Sequence, residues 1–139
     1  MNPQADTQNT NIDDKRVLIV DDDPSIVELY VEVLKSANIQ VDSVSNGVSA
    51  LEVLREHKHA LVLLDIMMPE MDGIQVLKTL RTDKTTYGDP KVVMLTNLAL
   101  TDNIKEALDS GADAYLVKLS LSNDQLVQQV KNYLYRFVK

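Results

Sequence analysis

The sequence predicts a single-domain α/β fold with a parallel sheet as its middle layer and helices on both faces. Three observations carry that expectation. Five short apolar runs recur along the chain, each followed by a segment of helical periodicity. The runs are brief and mostly continuous rather than alternating, which is how strands covered on both faces read. The 139 residues, 45% of them hydrophobic, suit one domain with a sizeable core.

The elements follow in order. Residues 1–14 are polar and acidic and offer no core face, so they are expected to form a disordered tail ahead of a domain spanning 15–139. The first run is Val17–Val20; Asp23 as N-cap and Pro24 at the first helical position then open a helix with Ile26, Tyr30, Val33 and Leu34 inward. Val41–Val44 is the second run, and Asn46 precedes Val48, Leu51 and Leu54 at helical spacing. After Ala60–Leu64 come Gly73 and the helical set Ile74, Leu77 and Leu80, with Asp72 read as turn chemistry. Val92–Leu95 is followed, after Thr101, by Ile104, Ala107 and Leu108, ending at Gly111 as a left-handed cap. Ala114–Val117 is the last run. Ser122 and Gln125 form a capping box ahead of Leu126, Val130, Tyr133, Leu134 and Phe137. Strands alternating with helices imply right-handed crossovers in one parallel sheet. With five strands the expected arrangement is the flavodoxin-like, three-layer (βα)5 domain of order 2-1-3-4-5, whose ligand site lies at the carboxyl ends of the strands near the β1/β3 switch point.

Composition narrows the function. A net charge of −7 disfavours direct nucleic-acid or anionic-membrane binding by this domain. The absence of cysteine removes disulfides, thiolate catalysis and cysteine-based zinc sites. No stretch is long enough to span a membrane and the N-terminus is no signal peptide, so the cytoplasm is the expected location.

The carboxyl ends carry the chemistry. The first strand breaks into Asp21, Asp22 and Asp23, the third into Asp65, the fourth into Thr96 and the fifth into Lys118. Each residue alone reads as a cap or loop residue, and Asp23 in particular as a cap. Four strands delivering such residues to one edge is hard to explain by packing. Carboxylates from neighbouring strands repel unless a cation joins them, and Mg²⁺ takes one or two carboxylates with waters and phosphate oxygens. That set suits phosphoryl transfer: an aspartate nucleophile, a cation to neutralise charge, a lysine as second positive charge and a threonine hydroxyl as donor. His57 and His59 read as a solvated helix terminus, and Met67, Met68 and Met71 as loop packing.

These residues resemble a known family. Val17-Leu-Ile-Val-Asp-Asp-Asp-Pro24, Leu64-Asp-Ile-Met-Met-Pro-Glu-Met-Asp-Gly73, Val93-Met-Leu-Thr96 and Gly111-Ala-Asp-Ala-Tyr-Leu-Val-Lys118 are similar to the motifs of bacterial response-regulator receiver domains, including single-domain chemotaxis regulators, over about residues 15 to 138. The resemblance implies that Asp65 is the phosphoacceptor and that Asp22, Asp65 and the backbone carbonyl of Met67 bind Mg²⁺ with help from Asp21. It implies that Lys118 and Thr96 stabilise the phosphoryl group, and that Tyr115 is an aromatic switch. The implied partners are a sensor histidine kinase or phosphotransfer protein and a downstream protein or output domain. The output surface is the face of the fourth helix, fifth strand and fifth helix (α4-β5-α5). Monomer and phosphorylation-dependent dimer both fit, as do a stand-alone receiver and the N-terminal part of a longer regulator.

The chain departs from the family in places. Leu119 stands where relatives usually have a proline after a cis bond, so a trans Lys118–Leu119 bond and a shifted loop are expected. Asn97 replaces a small residue and is expected to narrow access to Asp65, while Met67 and Leu98 are expected to hinder hydrolytic water. Ala114 replaces an aspartate that many DNA-binding regulators use in a dimer. Three rival functions compete with this one. An aspartate-nucleophile phosphatase, an enzyme, typically needs a second aspartate where Met67 stands, so the expectation is not an enzyme but a phosphoacceptor active in its own phosphorylation and dephosphorylation. A flavodoxin-like cofactor binder needs a first loop that receives phosphate, which three aspartates repel. A pseudo-receiver interaction module commonly lacks the acceptor, acidic pair or lysine that are all present here.

Overall fold

The computed structural model describes residues 15–97 and 101–135. The expected tail 1–14, Leu98 and Phe137 lie outside these. Strands β1 (Val17–Val20), β2 (Val41–Val44), β3 (Leu61–Asp65), β4 (Lys91–Thr96) and β5 (Ala114–Val117) alternate with helices α1 (Pro24–Ser36), α2 (Gly47–Glu56), α3 (Gly73–Thr82), α4 (Thr101–Asp109) and α5 (Asn123–Tyr135). One further helical turn, Lys84–Tyr87, sits between α3 and β4 and carries no apolar periodicity that would announce it. All strand pairs are parallel and the order is β2-β1-β3-β4-β5.

The period-two alternation of the strands divides the core. Val17, Ile19, Leu61, Leu63, Val93 and Leu95 face α1 and α5, while Leu18, Val20, Val62, Leu64, Val92 and Met94 face α2, α3 and α4. Complete burial is confined to the central strands. In the edge strands Ser43 and Tyr115 are exposed, so the expectation of strands covered on both faces fails for β2 and β5. Edge position explains it: each has one neighbour and only partial helix cover.

The caps agree with the sequence at most ends. Asp23 caps α1 by accepting from Ser25 N–H at 3.0 Å, and Asn46 caps α2 by accepting from Ser49 N–H at 2.8 Å. Ser122 and Gln125 exchange bonds of 2.8 and 3.1 Å ahead of α5. Gly111, at φ +112°, closes α4 as its N–H reaches Leu108 and that of Ala112 reaches Ala107, the Schellman pattern. Asn38, at φ +64°, does the same for α1.

Five side-chain readings need correction. Asp72 is an N-cap: its carboxylate accepts from Gln75 N–H at 2.9 Å, and Gln75 Oε1 accepts from Asp72 N–H at 3.0 Å. Val48 and Leu108 are half-exposed; α2 instead buries Gly47, Ala50 and Leu54, because Gly47 lets α2 approach α3 so closely that a Cβ would lie 2.8 Å from Val76. His59 is buried rather than solvated, with Nε2 2.9 Å from Asp42 Oδ2 and Nδ1 3.2 Å from the His57 carbonyl. Met67 points outward, whereas Met68 is buried as expected.

Candidate functional site

Register brings the polar strand ends together. Val20 pairs with Leu64, so Asp21 stands level with Asp65 on the adjacent strand. Asp65 pairs with Leu95, one residue before Thr96, and Thr96 pairs with Val117, one residue before Lys118. Adjacent strands are about 4.8 Å apart, and oxygens of Asp21, Asp22 and Asp65 all lie within 4.8 Å of one another.

Local bonds hold each group. Asp21 is fully buried and its Oδ1 accepts from Asp23 N–H at 2.9 Å. Asp65 Oδ1 accepts from Met67 N–H at 3.2 Å. Behind it, Gly73 donates to the Ile66 carbonyl at 2.9 Å, and a Cβ on Gly73 would lie 2.1 Å from the Asp65 carbonyl oxygen. Only glycine permits that approach, so the Asp72-Gly73 dipeptide seats α3 directly against the acidic edge. The β4–β5 ladder ends with Lys118 N–H on the Thr96 carbonyl at 2.7 Å. Lys118 Nζ then reaches Asp21 Oδ2 at 2.7 Å and Asp65 Oδ1 at 3.2 Å.

Burial sets the electrostatics. It pushes the Asp65 carboxyl up to about 7, reinforced by the negative charge of Asp21 and opposed by Lys118 and the Met67 amide. Burial pulls Lys118 down, but Asp21 and Asp65 outweigh it and hold the ammonium above its ordinary value. Asp23 is held below the usual carboxylate range by the Ser25 hydroxyl and amide, as befits a cap.

The donor set fits a hard cation. Three carboxylates supply oxygen ligands, and Asp21 Oδ2, though close to the Lys118 ammonium, is buried and accepts no aligned hydrogen bond. Of the remaining expected site residues, Thr96 is buried at the end of β4. Asp22 and the Met67 side chain are exposed, and Tyr115 stands outward on the edge strand β5. The Lys118–Leu119 bond is trans, as expected, and Leu119 sits at φ +64° with its N–H on the Tyr30 hydroxyl at 3.3 Å. Neither Tyr30 nor Gly73 stood out as part of the site in sequence. The Asp-Gly dipeptide was a readable signal for Gly73; nothing in the spacing joins Tyr30 to position 119.

A sheet of this order, with acid rather than phosphate-receiving groups in its first loop, is a flavodoxin-like domain of the acidic-site kind. The chain belongs to the response regulator receiver domain family, whose model matches residues 17–131, and is the receiver domain of a two-component response regulator. It is 40% identical over 122 residues to the DNA-binding response regulator MtrA of Mycolicibacterium smegmatis, covering 88% of this chain and 51% of that protein. It is 41% identical over 120 residues to the transcriptional regulatory protein SrrA of Staphylococcus aureus, covering 86% and 48%. The chain thus spans about half the length of the curated relatives it matches. Among solved structures, the receiver domain of the Francisella response regulator 1452 matches with a TM-score of 0.78 at 32% identity, over 88% of this chain and 98% of that one. A two-component response regulator from Clostridium difficile matches at 0.80 and 28% identity, over 90% and 99%.

Proposed function

We propose that the chain is a phosphorylation-dependent signalling switch that accepts a phosphoryl group on Asp65. The observation that supports this reading is a buried aspartate paired with Lys118 at 3.2 Å, with Asp21 and Asp22 close by. An Asp65 carboxylate oxygen attacks phosphorus on a phosphohistidine of a sensor histidine kinase or phosphotransfer protein. The P–N bond breaks and the imidazole leaves with the electron pair. Lys118 turns from the carboxylates to the transferred phosphoryl oxygens, and the Thr96 hydroxyl donates to one of them. Asp21, Asp22, Asp65 and the Met67 backbone carbonyl would hold Mg²⁺, which when bound neutralises charge on the phosphoryl oxygens.

The phosphoryl group biases an equilibrium between two arrangements, because Thr96 and Lys118 contact it better in one of them. Tyr115 reorients with Thr96, and the face of α4, β5 and α5 is remodelled to engage a downstream protein or output domain. The chain is a phosphoacceptor rather than an enzyme with turnover, and its place is the cytoplasm; no helix among the described residues is long and apolar enough to cross a membrane. Intact mass after incubation with acetyl phosphate and Mg²⁺ tests the reading. A phosphate adduct is expected on the wild type and none on Asp65→Ala; an adduct on both, or on neither, refutes it.

A further inference from the structure

We infer that Tyr30 is a positioning residue for Lys118, acting through the backbone amide of Leu119; this deepens the phosphoacceptor reading of Asp65 and rests on it. A lysine's flexible four-carbon stem does not by itself fix its ammonium. Where β5 stops, and how the chain leaves it, decides what Lys118 can reach. The ladder ends with the Lys118 amide on the Thr96 carbonyl, and the next residue, Leu119, turns the chain at φ +64°. That is the left-handed region, which residues bearing a Cβ avoid. The Leu119 side chain is 65% exposed, so packing does not hold the turn.

Hydrogen bonds do. Ser120 donates its amide at 3.2 Å and its hydroxyl at 2.7 Å to the Val117 carbonyl, which closes the turn on itself. The Leu119 N–H donates at 3.3 Å to the Tyr30 hydroxyl, 89 positions away in sequence. This second bond fastens the turn to α1. The Tyr30 ring is buried in the same core as Ile26, Val33 and Leu34, so its hydroxyl is a fixed post. A proline at 119 would have no N–H to donate, so the tether belongs to the departure of this chain at that position.

Tyr30→Phe removes the hydroxyl and leaves the ring. Phosphorylation by acetyl phosphate, followed by intact mass, and the Mg²⁺ concentration dependence of the melting temperature without phosphodonor are the two readouts. The rate is expected to fall about threefold to tenfold, the range one lost neutral hydrogen bond supplies. Mg²⁺ binding is expected to tighten by about twofold, because a less firmly held ammonium repels the cation less. General damage to the pocket would weaken both, so an unchanged rate, or a slower rate with weaker Mg²⁺ binding, overturns the proposal. Leu119→Gly supplies the second arm. Glycine adopts the turn without strain, so Tyr30→Phe should slow phosphorylation by less than about twofold in that background; an undiminished loss there also overturns the proposal. A wild type that forms no adduct refutes the phosphoacceptor reading instead, and the Mg²⁺ readout still decides whether Tyr30 holds Lys118.

Discussion

A methyl group at position 73 would meet the carbonyl oxygen of Asp65 at 2.1 Å, and that oxygen belongs to a central, fully buried strand. Either α3 withdraws or the end of β3 bends, and both move the carboxylate. Gly73→Ala is therefore expected to lose about 1–3 kcal/mol of stability, as overpacking typically costs, and to lower the acetyl phosphate adduct on Asp65 several-fold. Urea denaturation and intact mass check this; a variant of wild-type stability and full adduct would show that the close approach is dispensable. At this scale the acidic site was legible because a strand that ends in a carboxylate says where that carboxylate goes. His59 was not legible. A histidine beyond a helix end carries no periodic signal, and its partner Asp42 comes from β2, 17 positions away.

Helix ends carry the next level of organisation. The reciprocal pair of Asp72 and Gln75 satisfies amides at the start of α3 and so fixes the helix whose first residue abuts Asp65. Asp72→Ala is expected to cost about 1 kcal/mol, the usual worth of an N-cap, read as a lower urea midpoint with an unchanged slope. An unaltered midpoint would mean that water replaces the cap without loss. Asp-Gly is ambiguous in sequence, since the same pair opens turns and helices; the Gln three positions after Asp72 was the deciding signal, and the turn reading passed over it. The strands show the converse limit. A short run reveals a strand but not how much helix cover it receives, so β2 and β5 read as covered on both faces although the expected order 2-1-3-4-5 put them at the edges, and the polar Asp42 and Ser43 of β2 were the signal against that reading.

Charge couples the site to the stability of the whole molecule. Burial beside Asp21 raises Asp65 from an ordinary carboxylate value to about 7. Between about 4 and 7 the folded protein therefore holds a proton that the unfolded chain has released, so this group makes the fold less stable as pH rises through that window. Above it the carboxylate is charged in both states and the whole penalty is present. Lys118 has the same sign of pH dependence but acts at higher pH: its raised value gives stability that is fully present below its unfolded pKa and is lost as pH climbs past the folded one. Asp65→Asn keeps the shape and removes the charge. In EDTA it should melt above the wild type at pH 8, with the gap shrinking at pH 5, where Asp65 is protonated; comparing the two proteins cancels the titrating groups remote from this site. Added Mg²⁺ should raise the wild-type melting temperature more at pH 8 than at pH 5, because proton and cation compete for one carboxylate, and should raise the variant little at either pH. An equal gap at both pH values would mean that the acidic edge carries no stored repulsion, and a cation would then have nothing to relieve.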